Sequence, residues 1–376
     1  MHATFSPVFI GSEIYRGSSY GDWHPLRVPR VSTVMDLTRA LGWLNPASYM
    51  NSPRAKPVAL SLWHDPEYIA ALQQAERDGH VSDTVRTRHN IGTHANPVFG
   101  EVFRRPATSA GGALLAGELL AKPGVVYAPA GGTHHGMPDH ANGFCYFNDP
   151  VLAILSLRRQ GLRRIAYVDI DAHHCDGVDH AFRNDAEVLL VSTHEENRWP
   201  RTGALRDEGA GNVFNLPLPK DLNDTEMMLV QEHLIVPVVA RFAPDAIVLQ
   251  CGADSLADDP QSRLALSNGA LWSVVAALRP LSARYLVLGG GGYNPWSVGR
   301  AWTGVWATLA GHDIPASLPD QAEDVLRALV WHGNRRGRNP PEHWFTTLRD
   351  PPRPGPIRSD IRARLEYLTS RVAAIV

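Results

Sequence analysis

The sequence predicts an α/β protein in which a central parallel sheet is covered by helices on both faces. Short apolar runs alternate with helix-like segments through most of the 376 residues, which is the order expected of strand–helix–strand units. The run at 165–170 is almost entirely apolar, as expected for a strand that is buried on both faces. A chain of this length can bury a large core.

The first half of the chain contains loop-rich sequence and several well-marked elements. Asp65 and Pro66 suit the N-cap and the first position of a helix. Glycines between 108 and 120 would each cost roughly 1 kcal/mol on an exposed helix, so we expect that helix to pack tightly against a sheet. The elements expected here are a helix at 28–41, a strand at 58–62, a helix at 66–77, an irregular loop at 79–104, a helix at 108–120, a strand at 124–128 and a helix at 149–159.

The second half continues the alternation, and polar motifs follow its strand-like runs. In open parallel sheets, ligands bind beyond the carboxyl ends of the strands, so these motifs are expected to share one site. The elements expected after the central run are a strand at 188–193, a long loop at 195–211, a helix at 223–242, a strand at 245–250, a helix at 266–278, a strand at 284–288 and a helix at 296–309.

Residues 312–376 differ from the rest in being rich in proline and arginine. We interpret residues 1–311 as the main domain and this segment as an appendage packed on it, with a terminal helix at about 359–374. No internal repeat and no clean domain boundary is evident. The arginines favour a solvated surface or a subunit contact over a nucleic-acid site, because the overall charge is unremarkable.

Composition excludes several functional classes. A hydrophobic content of 44%, a charged content of 20% and a formal net charge of −2 predict a soluble protein without nucleic acid or a membrane as partner. The three cysteines, Cys145, Cys175 and Cys251, are far apart, which favours a reducing compartment over a disulfide framework. Neither a signal peptide nor an apolar run of about 18 residues is apparent, so we expect a cytoplasmic protein.

Candidate metal-binding residues lie at the end of the central apolar run. Three aspartates and two histidines lie between Asp169 and Asp176, and burying such charges is costly unless they are paired or bind a cation. Asp171 and His173 are two residues apart, so on an extended segment their side chains leave on the same face. Carboxylate oxygen and imidazole nitrogen suit a divalent metal such as zinc. An acidic surface loop is the alternative.

Asp254, just after the strand at 245–250, is the candidate third ligand. Three protein ligands leave one coordination position for water, which is typical of a catalytic rather than a structural zinc site. Taken alone, Asp254 could instead cap the helix that follows.

Two further motifs supply candidate proton donors and acceptors. The adjacent His134 and His135 follow a glycine-rich turn, and Asp169 and Asp176 are natural partners that would fix their tautomers. Tyr293 follows four glycines and could direct its phenol at a developing oxyanion. A four-glycine run can also cradle phosphate, but the Gly-Lys-Ser/Thr that normally follows is missing.

Five motifs together resemble the histone deacetylase superfamily, and within it the bacterial acetoin-utilization-type deacetylases. The resemblance covers about residues 15–310. The motifs are Gly-Gly-Thr-His-His at 131–135, Asn-Gly-Phe-Cys-Tyr-Phe-Asn-Asp at 142–149, Asp-Ile-Asp-Ala-His-His-Cys-Asp-Gly at 169–177, Cys-Gly-Ala-Asp-Ser-Leu at 251–256 and Leu-Gly-Gly-Gly-Gly-Tyr at 288–293.

The resemblance implies an arginase-like α/β fold and zinc-dependent hydrolysis of an acylated amine, usually an acetyl-lysine side chain, with release of acetate. It implies that Tyr293 donates to the carbonyl oxygen. The other roles that it implies are zinc binding by Asp171, His173 and Asp254, general base and acid catalysis by His135 backed by Asp176, and electrostatic assistance by His134 backed by Asp169.

The resemblance also implies a substrate tunnel and monovalent cation sites. Gly143, Phe144 and Trp199 would line the tunnel, Gln261 would stand at a usually apolar wall position, and Arg30 would line an internal channel for acetate. One K⁺ or Na⁺ would bind at Asp169, Asp171, His173, Ser192 and Thr193. A second would bind backbone oxygens around Phe182, Asp185 and Val188.

Departures from the family pattern leave the substrate open. Cys175 stands where a glycine is usual, and Trp199 stands where phenylalanine is common. The segment at 94–97 lies about where relatives carry a rim aspartate that grips a peptide, so a small acylated amine is an alternative substrate. Two other functions are alternatives: an arginase-type two-manganese ureohydrolase, and a non-catalytic module that binds acyl-lysine.

Overall fold

The computed structural model describes residues 6–332 and 334–375, and eight strands in these ranges form one sheet. Every neighbouring pair of strands is parallel, and the order across the sheet is β2-β1-β3-β8-β7-β4-β5-β6. The strands are β1 (Val8–Gly11), β2 (Tyr49–Asn51), β3 (Gly124–Ala128), β4 (Ile165–Asp169), β5 (Val188–Glu195), β6 (Val213–Leu218), β7 (Ala246–Gln250) and β8 (Arg284–Leu288).

Helices occupy most of the connections between strands. A π-helical segment, Gln231–Ile235, separates α9 from α10 in what the sequence predicted as one long helix. The α-helices are α1 (Ile14–Gly17), α2 (Val31–Ala40), α3 (Pro57–Leu60), α4 (Pro66–Asp78), α5 (Asp83–His89), α6 (Arg104–Leu119), α7 (Asp149–Arg159), α8 (Asp176–Phe182), α9 (Asp224–Val230), α10 (Val236–Phe242), α11 (Asn268–Leu278), α12 (Pro295–Ala310), α13 (Asp320–Arg327), α14 (His343–Thr346) and α15 (Ser359–Ser370).

The sheet separates two apolar layers, which confirms the predicted fold class. Trp302 and Trp306 of α12 are fully buried on one face, with α2 and α11 beside them. On the other face α6 and α7 pack on the sheet and on each other. The central strands β4 and β7 are neighbours, and Asp169 is in register with Gln250. Residues just beyond the ends of these two strands are therefore brought together.

Most of the expected elements are confirmed, including the capped helix α4. The side chain of Asp65 accepts a hydrogen bond from the backbone of Glu67 at 2.7 Å. The glycines of α6 also pack closely: a Cβ at Gly111 would lie 1.9 Å from the Pro53 carbonyl oxygen, and one at Gly117 would lie 2.4 Å from Ser156 Oγ. These contacts are with the loop before α3 and with α7. A Cβ at Gly112 would lie 3.3 Å from Ile10 of β1, so the helix also packs on the sheet as expected.

Some expectations were wrong. The strand expected at 58–62 is the short helix α3, which Pro57 starts at a position where its fixed φ suits a helix. The irregular loop expected at 79–104 contains α5, which Ser82 caps. Strands β1, β2 and β6 were missed. Pro217 made β6 a poor strand candidate, but β6 lies at the edge of the sheet, where a missing N–H is tolerated.

The C-terminal segment makes extensive contacts with the rest of the protein. Its Trp344, Leu348 and Leu365 are buried in the same apolar layer as α12. Arg358 forms an ion pair with the buried Glu226 at 2.5 Å, and Arg300 of α12 is 2.8 Å from Asp350. The expectation of no signal peptide falls partly on residues 1–5, which lie outside the described residues, as does Gly333 of the arginine-rich stretch. In the described ranges no helix is long and apolar enough to cross a membrane.

Candidate active site

Asp171, His173 and Asp254 meet as a buried trio beyond the ends of β4 and β7. One potential ligand atom from each lies within 4.8 Å of the other two. His173 Nδ1 is 3.1 Å from Asp171 Oδ1 and 3.0 Å from Asp254 Oδ2. Burial opposes protonation of His173, but the two carboxylates outweigh it and raise its pKa to about 10. The trio thus stabilises positive charge strongly, and its oxygen and nitrogen donors fit a divalent cation such as zinc.

Hydrogen bonds hold the carboxylates of the trio in place. Gln250 Nε2 and the Gly291 N–H donate to Asp171 Oδ2 at 2.9 and 2.8 Å. The Ala172 N–H donates to Asp254 Oδ1 at 3.0 Å. These donors come from β7, from the turn after β8 and from the trio's own loop, so the oxygens are oriented from three sides.

His134 is paired with Asp169 beneath the trio. Its Nδ1 lies 2.8 Å from Asp169 Oδ2, which also accepts a 2.6 Å hydrogen bond from the Tyr167 hydroxyl. Burial would lower the pKa of His134, but the charges of Asp169 and Asp171 outweigh burial and raise it to about 9. The two carboxylates therefore favour the protonated form of His134.

His135 is paired with Asp176 at the start of α8. Its Nδ1 lies 2.6 Å from Asp176 Oδ1, and Asn142 donates to the other carboxylate oxygen at 3.1 Å. Burial and the neighbouring His134 lower the pKa of His135 to about 4. The Nδ1–H must therefore face Asp176, which leaves Nε2 as a free acceptor.

A tight glycine turn after β8 places Tyr293 against the trio. Gly290 and Gly292 have φ values of +137° and +140°, which only glycine adopts readily. A Cβ at Gly291 would lie 2.0 Å from Asp254 Oδ2, so the turn can approach the trio only without side chains. The Tyr293 N–H donates to Asp259 Oδ2 at 2.6 Å. Burial raises the pKa of the phenol well above its usual value, so it remains a proton donor.

Aromatic rings and a glycine surround the approach to the trio. Phe144 and Tyr293 are neighbours at 6.0 Å between ring centroids. The half-exposed Trp199 packs on His135 at 4.6 Å. A Cβ at Gly143 would lie 2.2 Å from the Trp199 ring, so the wall requires glycine there. One cavity contacts Gly143, Phe144, Tyr293, both paired histidines, Asp171 and His173.

The other predicted site residues are a channel residue, a wall residue and two ligands of the first monovalent cation. Arg30 lines the same cavity and donates to the Gly290 carbonyl at 2.7 Å. Gln261 is partly buried and is not among the described residues that line this cavity. Ser192 and Thr193 lie on β5 beside the end of β4, where Thr193 Oγ1 donates to the Asp169 carbonyl at 3.4 Å.

The sequence reasoning missed three supporting side chains. Gln250 bonds to Asp171, Asn142 to Asp176, and Asp259 to the Tyr293 backbone. Asn142 lies within a motif that was already recognised, and Gln250 is the polar last residue of an apolar strand, so both carried a signal. Asp259 follows the Cys-Gly-Ala-Asp motif in a loop and carried none.

Comparison with known proteins places the chain in a family. A family model described as the histone deacetylase domain matches residues 24–309. The chain belongs to the histone deacetylase family.

Relatives from distant organisms align with most of the chain. The acetoin utilization protein AcuC of Bacillus subtilis (strain 168) is 31% identical over 328 residues, which are 84% of this chain and 84% of AcuC. Human histone deacetylase 1 is 34% identical over 308 residues, which are 80% of this chain but only 64% of the human protein.

Solved structures from the histone deacetylase family share the fold. The crystal structure of an HDAC homolog from Aquifex aeolicus is 34% identical, with a TM-score of 0.92 over 97% of this chain and 100% of that chain. The structure of an HDAC homolog complexed with SAHA is 35% identical, with a TM-score of 0.93 over the same shares. The fold class inferred from the sequence is thus the fold of the family.

Cys175, which the sequence analysis identified as a departure from the family pattern, fits without strain. Its φ is −79°, so the backbone does not need glycine at this position. The side chain is buried in the apolar layer that contains α7. The loop between His173 and Asp176 therefore keeps the pairing of Asp176 with His135.

Proposed function

We propose that this protein is a zinc-dependent deacylase that hydrolyses the amide of an acetyl-lysine side chain, or of a related acylated amine, and releases acetate. The observation that carries the proposal is the meeting of two carboxylate-paired histidines and a tyrosine with Asp171 and His173 around one cavity. Asp254 completes the buried trio at 3.0 Å from His173. Membership in the histone deacetylase family supports it.

Asp171, His173 and Asp254 would hold the zinc ion, which when bound supplies Lewis-acid polarisation of the amide carbonyl and a water of lowered pKa. In the proposed mechanism His135 accepts the proton of the attacking water at Nε2, because Asp176 engages its Nδ1–H. His135 then returns the proton to the leaving amine nitrogen. The charge that develops on the carbonyl oxygen is stabilised by the Tyr293 hydroxyl, and His134, paired with Asp169, gives electrostatic assistance.

Substrate would enter along the aromatic walls. Phe144 and Trp199 offer apolar faces to an aliphatic chain, and the Gly143 carbonyl would accept the substrate N–H. A homologous structure contains SAHA, which supports a site that accepts such ligands. Gln261 as a wall residue, Arg30 as a channel residue, a first K⁺ or Na⁺ site and a cytoplasmic location are further parts of the proposal.

A small acylated amine as substrate is favoured by one feature. In the segment at 94–97, which lies about where relatives carry a rim aspartate, His94 stacks on the half-exposed Trp23 at 4.3 Å with the rings 13° apart. This stack offers aromatic faces, but no carboxylate to grip a peptide backbone. Rates on an acetyl-lysine peptide and on a mono-acetylated diamine would distinguish the two substrate classes.

The other two functions have less support. A two-manganese ureohydrolase needs a second set of carboxylates, and Asp171, His173 and Asp254 form the only candidate metal-binding group in the described ranges. A non-catalytic module would be expected to lack a ligand, a paired histidine or the tyrosine, and all of these are present.

We also propose that residues 1–311 form the catalytic domain and 312–376 its appendage. The burial of Trp344 and Leu365 and the ion pair of Arg358 with Glu226 support this division of roles.

Hydrolysis of a fluorogenic acetyl-lysine peptide and of acetylated diamines by the zinc-loaded protein tests the proposed function. We expect turnover that a chelator abolishes and added zinc restores, and we expect Asp254→Asn to lose both metal and turnover. Absence of turnover on every acylated amine, with one zinc bound per chain, would support the binding module instead.

A further inference from the structure

The side-chain amide of Asn212 lies within a ring of three backbone carbonyls. These carbonyls, called here the carbonyl ring, belong to Phe182, Asp185 and Val188. Asn212 Nδ2 donates to them at 2.9, 3.1 and 2.8 Å. The three oxygens therefore converge on a single nitrogen.

The orientation of this amide is fixed from both sides. Asn212 Oδ1 accepts a hydrogen bond from the Ala210 N–H at 3.1 Å. A flipped amide would place its oxygen against three carbonyl oxygens and its NH₂ against an N–H donor, and both contacts would be repulsive. Asn212 is 7% exposed, so water could not compensate for them.

The carbonyl ring is where the family resemblance predicted a second monovalent cation. Converging carbonyl oxygens are a typical environment for K⁺ or Na⁺, but here the Asn212 nitrogen already supplies the positive partial charge that they need. An ion at the centre of the ring would have to displace this amide. The residues around the second predicted site thus do not fit an ion.

We infer that Asn212 replaces the second monovalent cation in this protein. The amide ties together the end of α8, the turn after it and the start of β5. Because α8 begins at Asp176, the partner of His135, this replacement makes the support of that pair independent of an ion at the ring. The inference concerns ion binding and does not depend on the proposed hydrolysis.

Anomalous diffraction from crystals soaked in thallium(I), a heavy substitute for K⁺, tests the inference directly. We expect no peak within the carbonyl ring of the wild-type protein. A peak bound to the Phe182, Asp185 and Val188 oxygens would overturn the inference, whatever the activity of the protein.

Removal of the amide gives a second, independent readout. In Asn212→Ala the carbonyl ring loses its side-chain donor, so K⁺ should bind there. Each tenfold increase in K⁺ concentration, with choline as the cation that K⁺ replaces, should then raise Tm by about 2 °C more than in wild type. Asn223→Ala is the matched control, because it loses an amide that donates to the Pro356 carbonyl at 3.1 Å, far from the ring.

The outcomes of this comparison are distinct. An Asn212→Ala protein with the K⁺ dependence of wild type and of Asn223→Ala would contradict the inference. If Asn212→Ala does not fold in any salt, the thallium experiment on the wild-type protein decides.

Discussion

His135 and Asp176 are joined by a 2.6 Å hydrogen bond between Nδ1 and Oδ1, although 41 residues separate them in the chain. His135 lies in the turn after β3, and Asp176 is the first residue of α8. The carboxylate fixes which imidazole nitrogen carries the proton. The proposed role of His135 therefore depends on Asp176, which is not among the described residues that line the cavity.

Asp176→Asn should impair turnover without loss of metal. The amide can present its NH₂ to His135 Nδ1 and so favour the wrong tautomer, and we expect kcat to fall by about 10²–10⁴-fold. Asp139→Asn is a matched control, because Asp139 makes a similar 2.7 Å contact with His140 on the surface. Metal content and kcat measured together test this; unchanged turnover in Asp176→Asn would remove Asp176 from the mechanism.

Tyr293→Phe should also lose most turnover while it retains one zinc per chain. The variant keeps the ring that packs near Phe144 but removes the hydroxyl proposed to stabilise the carbonyl oxygen. Tyr285→Phe is the control, since it removes a buried hydroxyl that donates to the Val275 carbonyl at 3.1 Å. That control should cost about 0.5–1.5 kcal/mol of stability and no turnover. Equal rates for the two variants would exclude the proposed role of Tyr293.

The convergence of three predicted ligands could be inferred from the sequence, whereas several strands and helices could not. Asp171, His173 and Asp254 could be found because parallel strands end at one edge of a sheet, so motifs that follow strands converge there. Gln250 was missed because a neutral residue at the end of an apolar strand does not reveal which carboxylate it will meet.

The missed elements have local causes. Strand β6 contains an asparagine and Pro217, and only its place at the edge of the sheet makes the proline acceptable. Strands β1 and β2 are four and three residues long, too short to show a pattern. The role of Asn212 depends on three carbonyls that are brought together by the turn after α8, and no spacing in the sequence encodes that contact.

Gly143→Ala should disrupt the wall beside the paired histidines. Its Cβ would lie 2.2 Å from the Trp199 ring and 2.8 Å from His135, so the ring must move. We expect kcat/KM to fall at least tenfold, and Trp199→Ala in the same protein to restore part of the loss by making room. Gly42→Ala is the control: Gly42 also has a positive φ, +69°, but a Cβ there meets nothing within 4 Å. A similar loss in the control would show that backbone strain is the cause.

Asp350→Ala should destabilise the attachment of the C-terminal segment. It leaves the guanidinium of Arg300, whose side chain is fully buried, without its partner at 2.8 Å, and such an uncompensated charge costs about 3–5 kcal/mol. Asp83→Ala removes the partner of Arg86 from a pair in which Asp83 is 95% exposed, so we expect a cost of about 0–1 kcal/mol. Urea unfolding measures both. Equal costs would mean that the buried pair does not hold the segment.

His64 makes the stability of the protein depend on pH. Its Nε2 accepts a 3.0 Å hydrogen bond from the Asn148 N–H, and its Nδ1–H donates to the Met137 carbonyl at 3.0 Å. A second proton would face the Asn148 N–H, so the folded protein requires neutral imidazole. Burial lowers the pKa of His64 to about 4. The Asn148 side chain in turn donates to the His134 and Gly136 carbonyls at 3.1 and 3.0 Å. It thereby helps to hold the turn that contains His134 and His135.

The sign of the dependence follows from the lowered pKa. The unfolded chain binds the proton near pH 6.5, whereas the folded protein resists it to about pH 4. The contribution of His64 is therefore complete above pH 6.5 and is lost as the pH falls towards 4, by at most about 1.4 kcal/mol for each pH unit. Urea unfolding at pH 7 and pH 5 should show this loss in the wild type and a smaller loss in His64→Gln, which cannot titrate. The same loss in both proteins would assign the acid sensitivity to other groups, such as the buried His194, whose pKa burial also lowers to about 4.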